Sequence, residues 1–178
     1  KKLRANVCAV THAGRVRREN EDNYDLNGRM TSTGDLKKGS AFVQSMAEPF
    51  HLSVCDGMGG ERAGKEASSM AVEEFFQRFS AGYSQSLTDE ELRTLLISSV
   101  SAANSVIYTR ARFDFKNFGM GTTLVAAFVT DHSALIVNVG DSRCYLITKQ
   151  GLKQVTEDHN YAMDLFKQGK ITREEVEN

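Results

Sequence analysis

Phe50-His51-Leu52-Ser53-Val54-Cys55-Asp56-Gly57-Met58-Gly59-Gly60 is the stretch from which the fold of this chain is read. Phe50, Leu52 and Val54 alternate with His51, Ser53 and Cys55, the period-two pattern of a strand with one apolar face. The strand is expected to end at Asp56, because Gly57, Gly59 and Gly60 can take positive φ and let backbone carbonyls approach a bound group. A carboxylate delivered to a strand end beside bare backbone oxygens suits a hard cation such as Mg2+ or Mn2+. The same residues fit an Asx-type turn in which Asp56 only accepts backbone N–H groups.

Downstream of Gly60 the period changes. Ala63, Ala67, Met70, Ala71, Phe75 and Phe79 recur at steps of three and four, predicting an amphipathic helix over 61–80 whose Met and Phe stripe is core. Thr88 and Glu91 have capping-box spacing, and the apolar face from Leu92 to Ile107 carries a second helix to about residue 112. From Gly119 the pattern turns to β: segments 122–130 and 134–139 read as a hairpin of buried strands, followed by strands at 143–148 and 152–156. Such an antiparallel meander builds sandwiches. A short helix is expected from Tyr161 to Gln168, and Thr172-Arg173-Glu174-Glu175 is another capping box.

Upstream, residues 4–12 read as a first strand and 23–27 as a second, with a loop over 28–40 and a weak β pattern at 41–46. Between the first two strands lies Arg15-Val16-Arg17-Arg18-Glu19-Asn20-Glu21-Asp22. Glu21 and Asp22 are adjacent, so in an extended chain they point to opposite faces, and one metal centre would need a turn or bridging water to use both. Arg17 or Arg18 could fork onto a phosphate oxygen, or simply belong to a solvated basic terminus.

The totals exclude more than they identify. A chain of 178 residues can bury a sizeable core, and a net charge of −1 with 25% charged residues provides no basic field for nucleic acid or membranes. No run approaches the roughly 18 apolar residues of a membrane span and no signal peptide is visible, so a cytoplasmic domain is expected. Cys8, Cys55 and Cys144 lack C-x-x-C spacing and sit in apolar runs, which predicts buried thiols rather than disulfides or zinc ligands.

Five motifs in order, Arg17-x-x-Asn20-Glu21-Asp22, Val54 to Gly60, Gly119-Met120-Gly121-Thr122-Thr123, Asn138 to Arg143 and Thr156-Glu157-Asp158-His159, resemble the metal-dependent type 2C (PPM) serine/threonine protein phosphatases, bacterial members in particular. The resemblance implies an α+β fold, a four-layer α/β/β/α sandwich of two antiparallel sheets flanked by helices. It implies hydrolysis of phosphoserine and phosphothreonine in phosphoprotein substrates, in signalling, by a water bridging two Mn2+ or Mg2+ ions. Asp56 would bridge the ions, the Gly57 carbonyl would bind one, and Glu21 and Asp22 would hold their waters. Arg17 would grip the phosphate, and Asp141 could contribute to a third, weaker metal. Cys55 as a nucleophile is disfavoured, because its acidic and glycine neighbours raise a thiol pKa.

Two departures qualify the match. Many members place His after the Asp-Gly pair as general acid, whereas Met58 has no proton to give, leaving a metal-bound water to protonate the leaving group. The family also supplies two further metal-binding aspartates beyond the region matching Asp158-His159, and this sequence ends before them. Residues 1–178 are therefore read as the N-terminal part of a single domain, with 159–178 the start of its flap segment. Such a piece is expected to be weak or inactive alone, to hold an ion loosely, and to pair its open sheet edges with the missing segment or another copy. The alternative function is a catalytically incomplete domain acting as a regulatory protein-interaction module.

Overall fold

The computed structural model describes residues 3–31, 40–60 and 62–177. Its elements in order are β1 (Arg4–Thr11), β2 (Asp22–Leu26), β3 (Arg29–Met30), β4 (Ser40–Ala47), β5 (Phe50–Met58), α1 (Ala63–Gly82), α2 (Asp89–Phe113), a 3-10 turn (Phe115–Asn117), β6 (Gly121–Thr122), β7 (Leu124–Val129), β8 (Ala134–Val139), β9 (Tyr145–Thr148), β10 (Gly151–Gln154), α3 (Tyr161–Lys167) and α4 (Arg173–Glu177). The main sheet runs β3-β2-β5-β7-β8, with β6 also on β5, and all its ladders are antiparallel. β1 and β4 form a separate antiparallel ribbon, and β9 and β10 a separate hairpin. This is the α+β, antiparallel-sheet architecture that the sequence implied, with three layers formed by the described residues: the α1/α2 pair, the main sheet, and the β1/β4 ribbon.

Both long helices form where the apolar period predicts them. The Thr88 box is complete: the Glu91 N–H donates to Thr88 Oγ1 at 3.3 Å and the Thr88 N–H to Glu91 Oε2 at 2.8 Å. Two backbone donors that the helix leaves unpaired at its start are thereby satisfied. α1 and α2 lay Ala67, Ala71, Phe75, Phe79, Leu92 and Leu96 on the main sheet in one cluster with Leu124, Ala126 and Phe128. Alanines at the contact let α1 approach the strands closely. On the other side of the sheet, Tyr24, Leu26, Met46 and Phe50 form a second, smaller cluster with the ribbon residues Ala5, Val7 and Ala9.

β5 departs from the one-apolar-face expectation. Its polar set, His51, Ser53 and Cys55, is the face turned under α1 and buried, while the apolar set runs from buried Phe50 to half-exposed Val54 and Met58. The polar face can be buried because His51 Nε2 lies 2.6 Å from the fully buried Asp25 carboxylate and its ring stacks on Phe76 at 5.0 Å. A buried polar contact of this kind stabilises little by itself, but removing either partner leaves an uncompensated polar group.

The expected loop over 28–40 is a hairpin at its start. Asn27 and Gly28 both have positive φ, 53° and 92°, and turn β2 directly into β3. Asn-Gly is the pair favoured in such two-residue turns because both residues tolerate that region. Residues 32–39, with Gly34 and Gly39, lie outside the described residues. The cysteines are unpaired, but only Cys55 is buried, whereas Cys8 is exposed and Cys144 intermediate. Alternation along a strand buries one face only if a layer covers it, and none of the described elements covers the Cys8 face of the ribbon. Among the described residues no helix is long and apolar enough to cross a membrane.

Candidate metal and phosphate site

β2 and β5 bring the two sequence motifs together. In their register Asp22 stands opposite Asp56 and Asn23 opposite Cys55, so residues 34 apart in sequence become cross-strand neighbours. The Asp22 carboxyl is pushed up from 3.8 to about 6 by burial, by the charge of Asp56 and by a hydrogen bond to the Asp56 side chain, with Arg17 pulling the other way. Two carboxylates this close resist ionising together unless a cation joins them.

Glu21, one residue earlier, leaves the ladder and points elsewhere. Its carboxylate packs on Gly64 in the first turn of α1, where an added Cβ would fall 2.1 Å from Glu21 Oε2. Ser68 of α1 donates to the Glu21 carbonyl and accepts from Asn23 Nδ2 at 2.7 Å, tying the Glu21 backbone and the Asn23 side chain, on either side of Asp22, to the helix. Asn20 donates to Thr11 and accepts from the Asp22 N–H at 3.1 Å. The turn thus sends the adjacent acids to different neighbours, Glu21 to the start of α1 and Asp22 to the position opposite Asp56.

Gly57 marks the tightest approach. A Cβ there would lie 2.1 Å from the Gly64 carbonyl oxygen and 2.8 Å from that of Glu21, so strand, helix start and entry loop meet backbone to backbone. Gly59 (φ 124°) and Gly60 (φ 89°) then carry the chain out of β5 in the left-handed region. Around this turn opens a cleft of about 530 Å³ whose wall includes Arg17, Glu19, Glu21, Asp56, Thr123 and Asp141. Glu19 also pairs with Lys65 at 3.5 Å, whereas Arg17 is exposed and has no ion-pair partner among the described residues. A larger cleft of about 810 Å³ between α1 and α2 lacks this constellation, and its one cation, Arg110, is held by Glu66 at 3.1 Å and Asp114 at 3.5 Å.

The third and fourth motifs close the site from the other side. Gly121 and Thr122 pair with Met58 and Gly57 as β6, and the Gly140-Asp141-Ser142 turn follows β8 with Asp141 exposed on the wall. The fifth motif secures that turn. Asp158 accepts from Arg143 Nε at 2.9 Å and Nη2 at 2.6 Å, and the Arg143 guanidinium holds the Asp158 carboxyl below its usual range. The His159 N–H donates to the Gly140 carbonyl at 2.9 Å.

Arg17, Glu21, Asp56, Gly57 and Asp141 thus line one cleft, and Asp22 stands directly across the ladder from Asp56. Sequence reasoning gave no role to Thr123, Ser142, Glu19 or Ser68. The only available signal for the first two was that they are hydroxyls inside motifs already quoted. Cys55 is fully buried on the opposite face of β5, and burial together with the Asp25 charge pushes its thiol up, so it is no nucleophile.

The donor set fits a hard divalent cation: oxygen atoms only, two carboxylates whose mutual repulsion a cation would relieve, and a glycine turn open to close approach. Among the described residues no group of three or more His, Cys, Asp or Glu side chains converges to hold an ion unaided.

An antiparallel α+β sandwich with an acidic, oxygen-lined cleft at the glycine end of its central strand defines the class. The chain belongs to the protein phosphatase 2C family, whose model matches residues 8–164. It is 38% identical over 173 residues to the serine/threonine phosphatase Stp of Listeria monocytogenes serotype 4b, a match covering 94% of this chain and 60% of that protein. Among solved structures, Staphylococcus aureus Stp1 superposes with a TM-score of 0.74 at 30% identity, covering 98% of this chain and 61% of that one. The catalytic domain of PstP, in complex with two manganese ions, superposes with a TM-score of 0.68 at 28% identity, covering 98% and 65%. The chain therefore spans about three-fifths of the length of these relatives.

Proposed function

We propose that this chain is the N-terminal, metal- and phosphate-binding part of a single phosphatase domain that hydrolyses phosphoserine and phosphothreonine in proteins. The observation that carries the reading is the Asp22/Asp56 pair across β2 and β5, with Arg17 on the same cleft, in a chain of this family. Asp56 and the Gly57 carbonyl would hold Mn2+ or Mg2+ directly, with Glu21 and Asp22 behind them and Asp141 at the outer wall. When bound, two such ions activate water and clamp an in-line displacement at phosphorus.

The chain's own residues account for the rest. Arg17, exposed and with no ion pair among the described residues, presents a fork to the phosphate oxygens and orients the ester. The paired backbone around Gly57 keeps Asp56 from moving away as charge redistributes. Met58 faces the cleft but has no proton to give, so leaving-group protonation draws on solvent. The regulatory-module alternative gains no support, since a scaffold has no physical need for clustered acids that repel one another.

A completing segment is part of the proposal. It would pair along the outer edge of β8 and cover the exposed Val10 and Val43 of the ribbon. Three unpaired thiols fit a reducing compartment, so the proposed setting is the cytoplasm.

The test is hydrolysis of a phosphothreonine peptide by the domain at its relatives' full length, with Mn2+, with Mg2+ and with chelator. Activity should require the metal, and Asp56→Ala should abolish activity and metal binding together. Activity that survives Asp56→Ala would sink the assignment.

A further inference from the structure

We infer that Thr123 is the positioning residue for Asp56, and that its bond to Ser142 couples the turn carrying Asp141 to the strand end carrying Asp56. The inference rests on the metal-dependent reading above. The Asp56 N–H donates to Thr123 Oγ1 at 3.0 Å, and the Thr123 N–H donates back to the Asp56 carbonyl at 2.9 Å. Thr122 Oγ1 donates to the same carbonyl at 2.9 Å. Both peptide groups of Asp56 are therefore tied to one dipeptide, and its carboxylate keeps only its own side-chain torsions.

Thr123 is itself immobilised. It is 2% exposed, and its methyl group lies against Gly140, where a Cβ would fall 2.7 Å from Thr123 Cγ2. Its hydroxyl shares a 2.6 Å hydrogen bond with Ser142 Oγ, one residue from Asp141. A hydroxyl has one proton and two acceptor sites, so Thr123 can accept from the Asp56 N–H while bonding Ser142 in either direction. The hydroxyl pair is then a direct side-chain link between the two acid-bearing turns, beside the Arg143–Asp158 and His159–Gly140 bonds that hold the second turn to the fifth motif. The β7/β8 ladder ends at Leu124 opposite Val139, one residue short of Thr123 and Gly140, and the hydroxyl pair carries that link on to Ser142. Partners behind a metal ligand commonly change affinity about 10–100-fold when removed.

The experiment is a Mn2+ titration, followed by water-proton relaxation, of the parent chain and of Thr123→Val, Thr123→Ser, Ser142→Ala and Asp56→Asn. Thr123→Val should weaken Mn2+ binding by about 10-fold or more. Ser142→Ala should weaken it by about 2–10-fold, the equivalent of one hydrogen bond, and Thr123→Ser should restore most of the affinity. A folded Thr123→Val or Ser142→Ala chain that binds Mn2+ like the parent overturns the inference. Should Thr123→Val fail to fold, Ser142→Ala decides, because it breaks the hydroxyl pair without orphaning the Asp56 N–H. Asp56→Asn separates the two levels: parent-like binding there overturns the metal reading itself. Loss there with parent-like binding in Ser142→Ala and Thr123→Val overturns only the positioning role.

Discussion

Replacing Asp22 with Asn should stabilise the metal-free chain at neutral and alkaline pH. The Asp22 carboxyl is raised from 3.8 to about 6 by burial, by Asp56's charge and by their hydrogen bond. Between those values the folded chain holds a proton that the unfolded chain has released, so stability falls as pH rises through this window and stays low above it. At about 1.36 kcal/mol for each pH unit, the full displacement is worth about 3 kcal/mol. Asp22 is partly open to water, and screening reduces this to about 1–2 kcal/mol. Asn carries no charge and its amide can donate to the Asp56 carboxylate, so Asp22→Asn recovers that amount in chelator near pH 8. The gain is a rise in Tm of roughly 2–8 °C for a chain of this size. Towards pH 4 the two proteins should converge, and saturating Mn2+ should reverse their order, because the cation removes the repulsion and the parent binds it better. Thermal unfolding by circular dichroism, in chelator at both pH values, is the assay. A variant no more stable than the parent at pH 8, or equally more stable at both, would refute the reasoning.

Gly57→Ala should abolish metal binding and destabilise by at least about 1–3 kcal/mol, since the new methyl meets two backbone carbonyls that cannot turn aside; wild-type Mn2+ affinity would contradict the close approach drawn at this residue. Gly64→Ala meets the Glu21 carboxylate, which can swing away, and one backbone atom, the Gly57 carbonyl carbon at 2.9 Å, so its stability loss in urea should be smaller than that of Gly57→Ala, whose methyl meets backbone at 2.1 Å. Thr88→Ala removes one half of the capping box and should cost about 1 kcal/mol, seen as a Tm lower by roughly 2–4 °C with Mn2+ binding untouched. Arg17→Ala should mainly raise KM for a phosphopeptide, by a contact worth about 1.5–3 kcal/mol, and an unchanged KM would remove Arg17 from the site.

Local periodicity determined the elements, because burial of one helix face or one strand face leaves its period in the sequence whatever the element packs against. α1, α2 with its Thr88 cap, the pairing of β7 with β8 and the body of β5 could be read that way, although β5 runs on to Met58 instead of ending at Asp56 and β8 is at most half-buried; the spaced motifs pointed to Arg17, Glu21, Asp22, Asp56, Gly57 and Asp141. The Asn27-Gly28 hairpin reads in the sequence as the start of a loop, because β3 is only two residues long and leaves no period. Tertiary structure alone decided which face of β5 turns inward: alternation shows that the two faces differ, while the choice depended on the Asp25–His51 pair and the alanines of α1. It alone placed Asp22 opposite Asp56, since register between strands separated by a long connection leaves no local mark. Thr123 and Ser142 acquire meaning only there, because a hydroxyl has no sequence signature until the fold shows what it touches.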